Sequence, residues 1–484
     1  MRKLELENGP LALYLGLVMA VAIMAFSPGL LNADSIDMLN QSVTGRYHDW
    51  HSPLMTLAWS LLGHVKPGPA PMLVMELLLF VVGTYLILAR VFRSAWIAIG
   101  AATLIILLPP IFGSLGVVNK DMLGLSLFAT MIGLFGADLA HRKARLAVAW
   151  VAFGVLMCAV RTDYLPFFFW ACAARIWVSL SWRLPKRSTP ADALMIVGAV
   201  AVSIVAALIF ALATAISIGV VNYGALGADR RYPIQATLLH DIAGVSVAHN
   251  DNLYPSWIKN RGVTLEAIRK RYATHAGDPL FWGGEPRVPF ASSPAEFMEL
   301  RGAWLMAVGS NPKAYLRHRL AVIACLVKSC TSAYGHFQYA TDPRYGNLVD
   351  YDRMGLNEPI AGANMRAGYL KWAAGTVLAR APLYIVSLFL CMSLLLAAPW
   401  ASRPRVPSPV HDHVRTVSGA LGLGAASHLL VLGLLTPAAN FRYLTPTIFV
   451  AAILLLYALF TVCESRWPIR IASAISRLNH RARN

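Results

Sequence analysis

Residues 193–221 read ALMIVGAVAVSIVAALIFALATAISIGVV and contain no charged side chain. A helix that crosses the hydrocarbon core of a bilayer needs about 20 mostly apolar residues, because lipid offers the backbone N–H and C=O groups no hydrogen-bond partners. This stretch exceeds that minimum without interruption. It therefore predicts a membrane-spanning helix.

Similar apolar runs recur along the chain and predict an all-α, polytopic integral membrane protein with about ten transmembrane helices. The chain is 57% hydrophobic and 14% charged, which is too apolar for a surface solvated by water, so a soluble protein is excluded. The predicted spans are Leu11–Ser27, Met72–Ala89, Ala95–Gly113, Met122–Ala140, Leu146–Val160, Tyr164–Leu180, Ala191–Val221, Pro382–Trp400, Val417–Leu435 and Leu444–Val462.

The chain is strongly basic, because 42 Lys and Arg residues against 24 Asp and Glu residues give a net charge of +18. Basic residues in short loops resist translocation and mark the cytoplasmic side of a membrane. Here they fall on alternate loops, so we expect the charge to set orientation in a bacterial inner membrane and not to indicate nucleic-acid binding. The basic loops lie at residues 90–93, 141–145, 183–187, 403–415 and 466–483.

This alternation predicts that both termini are cytoplasmic. Arg2 and Lys3 precede the first apolar run, but no clear small-residue cleavage site follows it, so we interpret the run as an uncleaved anchor and not as a signal peptide. The predicted outer loops are residues 28–71, 116–121, 161–163, 222–381 and 437–443.

The predicted spans divide the chain into three parts. Residues 1–221 form an N-terminal module of seven spans, residues 222–381 an extracytoplasmic region with amphipathic helices, and residues 382–484 a module of three spans with a basic cytoplasmic tail. Leu54–Val65 is apolar but too short to span, which predicts a helix at the membrane interface. Leu320–Val327 is a second short apolar segment that we expect to dip into the membrane surface.

Cysteine usage gives little sign of a metal centre. The six cysteines form no CxxC pair, and Cys325 and Cys330 are the two that an oxidising compartment would bring into a disulfide. His48, Asp49 and His51 are residue types that bind metals, but their spacing is not diagnostic. A divalent metal is therefore conceivable without being indicated, the cofactor is unknown, and no metal ligand is assigned.

Acidic residues collect at the predicted outer ends of the spans. Asp34, Asp37 and Gln41 follow the spacing i, i+3, i+7, which places them on one face of a helix. Ionisable groups at a membrane boundary are costly unless they pair or function, so this face is a candidate site. The alternative is that Asp34 caps the helix and Asp37 completes a capping box.

A second group lies between Gly45 and Pro53, where Asp49 stands among two histidines and two aromatic residues. Aromatic faces pack on the C–H surface of sugars, and a carboxylate or an imidazole accepts a hydroxyl proton, so this composition suits a ligand rich in hydroxyl groups. The alternative is a belt of aromatic side chains at the membrane interface, which explains Tyr47 and Trp50 but not Asp49.

Three cations, Lys120, Arg161 and Arg442, lie at predicted outer ends of spans, against the orientation rule. A phosphate at the outer surface would account for them, since a guanidinium forks onto phosphate oxygens. Contact with lipid headgroups alone is the alternative. Asp121 and Asp163 stand beside these cations, and either could instead be a helix N-cap.

These motifs resemble those of GT-C-type integral membrane glycosyltransferases, in particular bacterial relatives of the lipid A aminoarabinose transferase and protein O-mannosyltransferase group. The seven-span N-terminal module is similar to the architecture of that class. The resemblance lies in Asp34 after the first span, residues 49–53, Lys120-Asp121 after the third span, residues 311–319, and residues 442–446 before the last span.

The resemblance implies an inverting enzyme that transfers a sugar from a polyprenyl-phosphate carrier to an envelope glycan or lipid acceptor at the periplasmic face, within membrane lipid. It implies catalytic roles for Asp34, Asp37 and Asp49. The substrate-binding residues that it implies are His51, Lys120, Asp121, Arg161, Asp163, Arg442 and Tyr443.

The sequence departs from the family pattern in two places. Ser35 follows Asp34 where the family often has a Glu beside the first acid, and the next acid is Asp37. A single proline, Pro53, stands where related enzymes often have two. The choice of general base between Asp34 and Asp37 therefore stays open.

Two other classes of membrane protein have comparable hydrophobicity: a transporter or flippase for a lipid-linked or anionic solute, and a polysaccharide polymerase or ligase that uses carrier diphosphates. Transporters carry polar groups at the bilayer midplane. Here the acids collect at one boundary, which favours the transferase. Glu76, Asp138 and Arg175 are exceptions, and we expect them to reach the interface from span ends.

Overall fold

A computed structural model describes residues 8–92, 94–181, 190–328, 330, 360, 362–401 and 409–460. These residues form helices and irregular segments with isolated β-bridges and no β-strand, so the all-α prediction is confirmed for them. The predicted basic tail at residues 466–483 and the basic loop at 183–187 lie outside the described residues.

The N-terminal part contains ten helices. A 3-10 turn at Thr162–Tyr164 precedes the ninth, and a π-helical turn at Val220–Ala225 follows the tenth. The helices are α1 (Asn8–Phe26), α2 (Ala33–Thr44), α3 (Pro53–Gly63), α4 (Ala70–Val91), α5 (Ala95–Leu107), α6 (Pro109–Phe112), α7 (Lys120–His141), α8 (Ala144–Val160), α9 (Leu165–Ser181) and α10 (Pro190–Gly219).

Six helices lie in residues 226–328, which we call the connecting region, and they surround a hydrophobic core of their own that includes Leu239, Ile242 and Leu300. They are α11 (Gln235–His249), α12 (Ser256–Lys259), α13 (Leu265–Arg271), α14 (Asp278–Trp282), α15 (Pro294–Ser310) and α16 (Pro312–Lys328). The C-terminal part adds α17 (Ala363–Ala374), α18 (Ala381–Ala401), α19 (Pro409–Leu435) and α20 (Phe441–Phe460), which starts with a 3-10 turn.

Several helices are long and apolar enough to cross a membrane, which supports the prediction of a membrane protein, but their number differs from the predicted ten. Within the described residues there are six: Ala70–Val91, Lys120–His141, Thr162–Ser181, Asp192–Ala225, Val414–Leu435 and Phe441–Phe460. The other four predicted spans correspond to shorter apolar segments, at Leu13–Phe26, Ala95–Leu107, Ala144–Val160 and Ala381–Leu394.

Proline explains one of these differences. The predicted span Ala95–Gly113 divides into α5 and α6, because Pro109 and Pro110 lack the backbone N–H groups that would continue α5. The predicted span Leu146–Val160 is the 17-residue helix α8, and its chain turns at Arg161. Helices α1 and α18 have 19 and 21 residues, and their side chains are described over Leu13–Phe26 and Ala381–Leu394.

Helix α7 lies at the centre of the bundle and packs on α4 and α8. In the most apolar stretch of α7, 94% of the residues are buried within the protein. In the corresponding stretch of α10, the most hydrophobic of the six helices, only 11% of the residues are buried. Apolar side chains left uncovered on α10 are suited to lipid and not to water. At the α4 contact, a Cβ on Gly83 would lie 2.4 Å from the backbone nitrogen of Thr130, so only glycine permits this approach.

Helix caps fix the starts of α2 and α7, and the capping residues are not the acids that the sequence analysis considered. Asn32 caps α2 and forms the capping box with Ser35, so neither Asp34 nor Asp37 has that role. Asn119 caps α7 by accepting the N–H of Met122 at 2.8 Å. The proposed N-cap role of Asp121 is therefore wrong.

Asp163 lies within the 3-10 turn before α9 and also is no N-cap of an α-helix. The predicted short helix before the second long span is present as α3, whose N-cap is Ser52. Leu320–Val327 belongs to the uninterrupted helix α16. Cys325 and Cys330 form a disulfide at the end of that helix, as the sequence allowed.

The connecting region holds the segment just before α20. The buried Arg319 guanidinium pairs with buried Asp241 at 2.7 Å and donates to the Thr436 carbonyl at 2.8 Å. The hydroxyl of Thr237 donates to the Leu435 carbonyl at 2.6 Å. These contacts fix the chain six residues before Arg442 and thereby set where α20 begins.

Candidate functional site

A chain of alternating charges lies where α2, α7, α9 and α20 begin. Arg442 donates through Nη2 to Asp34 Oδ2 at 3.3 Å, and its Nε lies 3.3 Å from Asp121 Oδ2. The other oxygen of Asp121 contacts Arg161, which also forms a bidentate pair with Asp163 at 2.8 and 2.7 Å. Residues from four separated predicted motifs thus form one network.

The network continues to a residue that the sequence analysis missed. His428 of α19 is fully buried, its Nε2 lies 3.4 Å from Asp163 Oδ2, and its Nδ1 lies 3.0 Å from the hydroxyl oxygen of Thr447. The available signal was a histidine inside the apolar run Val417–Leu435, since ionisable residues in such runs usually pair with other groups.

The ring of Tyr443 lies close to both guanidinium groups. The Cζ atom of Arg161 lies 5.2 Å from the ring centroid, and that of Arg442 lies 5.4 Å from it. Both distances are within the range of cation–π contact. The ring therefore stabilises two like charges that share Asp121 as a partner.

A second set of polar contacts begins at Lys120. Its ammonium donates to Nδ1 of His51 at 3.1 Å. Because an ammonium only donates, Nδ1 carries no proton and the ring proton is assigned to Nε2. Nε2 then donates to Oδ2 of Asp37 at 3.3 Å. Burial and the charge of Lys120 both lower the pKa of His51, in agreement with a neutral ring.

Asp37 is the more heavily bonded of the two acids on α2. Its Oδ2 accepts from Gln41 at 2.9 Å and lies 3.3 Å from Nε2 of both His48 and His51. Burial would raise the pKa of Asp37, but the hydrogen bonds from the two histidines hold it below its ordinary value. Asp37 therefore orients the His51 side chain and is itself held in place.

Asp34 has fewer partners. Its carboxylate accepts a hydrogen bond from Arg442, and 28% of its side chain is exposed. Burial would raise the pKa of Asp34, but the positive charges of Lys120 and Arg442 hold it well below its ordinary value. The charge of Lys120 acts on Asp34 together with that of Arg442, so electrostatics couple the second set of contacts to this carboxylate.

Asp49 lies apart from both sets. Its carboxylate accepts from the Tyr223 hydroxyl at 2.8 Å and from the Arg231 N–H at 2.5 Å. The N–H of Asp49 donates to the Asp229 carbonyl at 3.1 Å. These bonds attach the loop after α2 to the start of the connecting region. The structure thus brings together every predicted site residue except Asp49.

Two charged residues of the predicted spans are buried within the protein. Glu76 and Asp138 are 1% and 0% exposed. Asp138 accepts from Arg175 Nε at 2.6 Å and from Trp150 Nε1 at 3.2 Å. Asp138 follows Asp121 by 17 positions on α7, or about 26 Å at 1.5 Å per residue, so this pair lies far from the charge network.

The arrangement offers an anion two cations beside one accessible carboxylate. Lys120 uses one of its three donors on His51, and Arg442 remains 29% exposed. No group of three or more His, Cys, Asp or Glu residues suited to a metal ion occurs in the described part of the chain. In comparisons with known proteins, no family model and no curated protein matches this chain.

Proposed function

We propose that the chain is an inverting membrane glycosyltransferase of the GT-C type that transfers a sugar from a polyprenyl-phosphate carrier to an acceptor of the cell envelope. The observation that carries the proposal is the position of the accessible Asp34 carboxylate next to Lys120 and Arg442. The site lies at one end of an apolar bundle, where a lipid-linked phosphate can reach it.

The two cations suit the phosphate of such a carrier. Lys120 has two donors left after its bond to His51, and a guanidinium offers several N–H groups in one plane. The isoprenoid would remain in lipid, so recognition needs only the phosphate and sugar to enter the site. As the sugar leaves the phosphate, negative charge develops on the phosphate oxygens, and preorganised cations stabilise it.

Asp34 is better suited than Asp37 to act as the general base. The two side chains are similarly exposed, at 28% for Asp34 and 26% for Asp37, but Asp37 Oδ2 is shared among three side chains, whereas the Asp34 carboxylate contacts Arg442 at 3.3 Å. In the proposed step, an acceptor hydroxyl or amine transfers its proton to Asp34 while its heteroatom bonds to the anomeric carbon. The bond from that carbon to the phosphate oxygen breaks, and its electron pair stays on the phosphate. Because the attack comes from the side opposite the phosphate, it inverts the anomeric centre.

Donor binding would also make Asp34 a stronger base. The charges of Lys120 and Arg442 hold the pKa of Asp34 below its ordinary value in the free protein. A bound phosphate would offset both charges, and an anion nearby raises the pKa of a carboxyl group. Proton transfer would thereby be favoured in the complex with donor over the free protein.

Asp121, Arg161 and Asp163 are better suited to hold Arg442 than to contact the donor. Each side chain of Asp121 and Arg161 is shared between two partners of opposite charge, and both are about 10% exposed or less. Removing one member would deprive its buried neighbours of a partner of opposite charge, which is unfavourable. We therefore assign these residues to positioning and Asp49 to attachment of the first loop.

The proposed membrane is the bacterial inner membrane, with the site on its periplasmic face and both termini in the cytoplasm. The disulfide between Cys325 and Cys330 supports this orientation, because disulfides persist in oxidising compartments. The concentration of charge at one end of α7 supports surface chemistry over transport.

The proposal is tested by supplying purified protein in lipid vesicles with polyprenyl-monophosphate and polyprenyl-diphosphate sugars and an envelope fraction from a strain that lacks the protein. Transfer from the monophosphate donor is expected. Transfer only from the diphosphate donor would indicate a polymerase or ligase. Movement of either donor across the vesicle membrane without glycan transfer would indicate a flippase.

A further inference from the structure

The connecting region brings a further acid, Asp278, close to the charge network. The segment His275–Gly277 pairs with Pro437–Ala439: the N–H of Gly277 donates to the Pro437 carbonyl at 3.0 Å, and the N–H of Ala439 donates to the His275 carbonyl at 2.8 Å. Asp278 directly follows the first paired segment, and Arg442 lies three residues after the end of the second. Two short connections therefore hold Asp278 beside the site.

Electrostatics agree with this placement. Burial raises the pKa of Asp278, the charge of Arg442 opposes that shift, and the charge of Asp34 adds to it. The side chain is nevertheless exposed to solvent. The exposed Asp278 carboxylate is therefore close enough to Arg442 and Asp34 for their charges to act on it.

The carboxylate of Asp278 has no hydrogen-bond donor among the residues that the structure describes. One turn later on α14, at the spacing i, i+4 that puts two side chains on one face, lies Trp282, which is 62% exposed. A free carboxylate beside an uncovered aromatic ring suits a saccharide, because hydroxyl groups donate to the acid and the C–H face of the sugar packs on the ring.

Asp278 is poorly suited to the donor phosphate, because two negative charges repel each other. We propose that Asp278 and Trp282 form the subsite for a saccharide acceptor, in which Asp278 accepts a hydrogen bond from an acceptor hydroxyl and Trp282 packs on its ring. This inference rests on the proposed function and adds the class of acceptor. The donor would enter from lipid and the acceptor from the side of the connecting region.

The test separates donor from acceptor. Donor is the polyprenyl-phosphate sugar fraction extracted from a strain that lacks the protein, and acceptor is the extracted envelope of the same strain. Transfer by purified full-length protein in vesicles is measured while the amount of envelope is varied at saturating donor. Binding of undecaprenyl phosphate is measured in parallel.

We expect Asp278→Asn and Trp282→Ala each to raise the amount of envelope needed for half-maximal transfer by about tenfold. The maximal rate and the binding of undecaprenyl phosphate should stay within threefold of wild type. Asp278→Glu, which keeps the carboxylate, should recover most of the acceptor dependence. Asp251→Asn is the matched control, since Asp251 is an exposed acid of the connecting region outside the site.

Unchanged acceptor dependence in Asp278→Asn would overturn the subsite while leaving the proposed function intact. Weaker binding of undecaprenyl phosphate in that variant would also overturn it, because Asp278 would then act on the donor. An effect of Asp278→Asn without one of Trp282→Ala would overturn the assignment to a saccharide. No transfer by the wild-type protein would overturn the proposed function and the subsite together.

Discussion

Arg442 at the start of α20 donates to Asp34 on α2 across 408 residues of sequence, at a distance of 3.3 Å. The contact joins the second helix of the chain to the last helix that the structure describes. It also leaves both side chains more than a quarter exposed, so both remain accessible to a ligand. This pair is where the charge network meets the candidate ligand site.

Removing the Arg442 guanidinium should weaken carrier binding. Arg442→Ala is expected to raise the Kd for undecaprenyl phosphate by about 10- to 100-fold, because one charge-assisted contact contributes about 1.5–3 kcal/mol. Arg442→Lys should restore little of it, since a single ammonium cannot fork onto the phosphate. Titration of the purified protein measures this, with exposed Arg287→Ala as the control. Wild-type affinity in Arg442→Ala would contradict the assignment.

Acid should affect the free enzyme only at low pH. The pKa of Asp34 is depressed in the folded protein, so its charge and the contribution of its pair with Arg442 are fully present above the ordinary Asp pKa of about 3.9. They are lost as the pH falls through the lower, folded pKa. The pKa of His51 is lowered as well.

The quantity to measure is kcat/KM for the donor from about pH 4.5 to about pH 7. Its pH dependence reports the ionisation of groups in the free enzyme. We expect no acid limb from Asp34 within that range, and any limb from His51 should be centred below the ordinary histidine pKa of about 6.5. A fall in kcat/KM that is centred at or above about pH 6.5 and absent in His51→Gln would contradict this expectation.

Arg161 should matter more for stability than for affinity. Arg161→Met removes one partner each from Asp121 and Asp163, which are about one-tenth and one-fifth exposed, and breaking a buried pair costs about 3–5 kcal/mol. Thermal unfolding in detergent should therefore occur at a clearly lower temperature. Arg261→Met breaks an exposed pair with Glu296 and should shift unfolding little. Equal shifts for the two variants would argue against a supporting role of the network.

Much of the class and part of the site followed from the sequence, for identifiable reasons. Uninterrupted apolar runs such as residues 193–221 have no other stable use, so the all-α membrane class was predictable. Lys120, Arg161 and Arg442 stood out because each broke the orientation rule. The contacts of these cations with Asp121, His51 and Asp34 were not predictable, because they join positions 40, 69 and 408 residues apart.

Other features depend on backbone detail that composition does not reveal. Asn32 and Asn119, and not the neighbouring acids, cap their helices. Asp49 was predicted to bind a ligand because its partners, the Tyr223 hydroxyl and the Arg231 N–H, lie in a distant segment and could not be foreseen from the sequence. Asp278 gave no signal, since its proximity to Arg442 arises from the pairing of two short loops.

The orientation of the protein can be checked with single cysteines in a background without native free thiols. Thr44 at the end of α2 and Lys143 after α7 are both exposed. A membrane-impermeant maleimide should label Thr44→Cys in intact cells and Lys143→Cys only after permeabilisation. The opposite pattern would place the site in the cytoplasm and contradict the proposed topology.

The most direct measurement is sugar transfer by Asp34→Asn beside Asp49→Asn, with the polyprenyl-monophosphate donor. Both substitutions remove one charge at nearly constant shape. Asp34→Asn should lower the rate by at least about 100-fold, the range for loss of a general base, with undecaprenyl phosphate binding within threefold of wild type. Asp49→Asn should keep its rate within about threefold, because its carboxylate only attaches a loop. Wild-type transfer by Asp34→Asn would contradict the account.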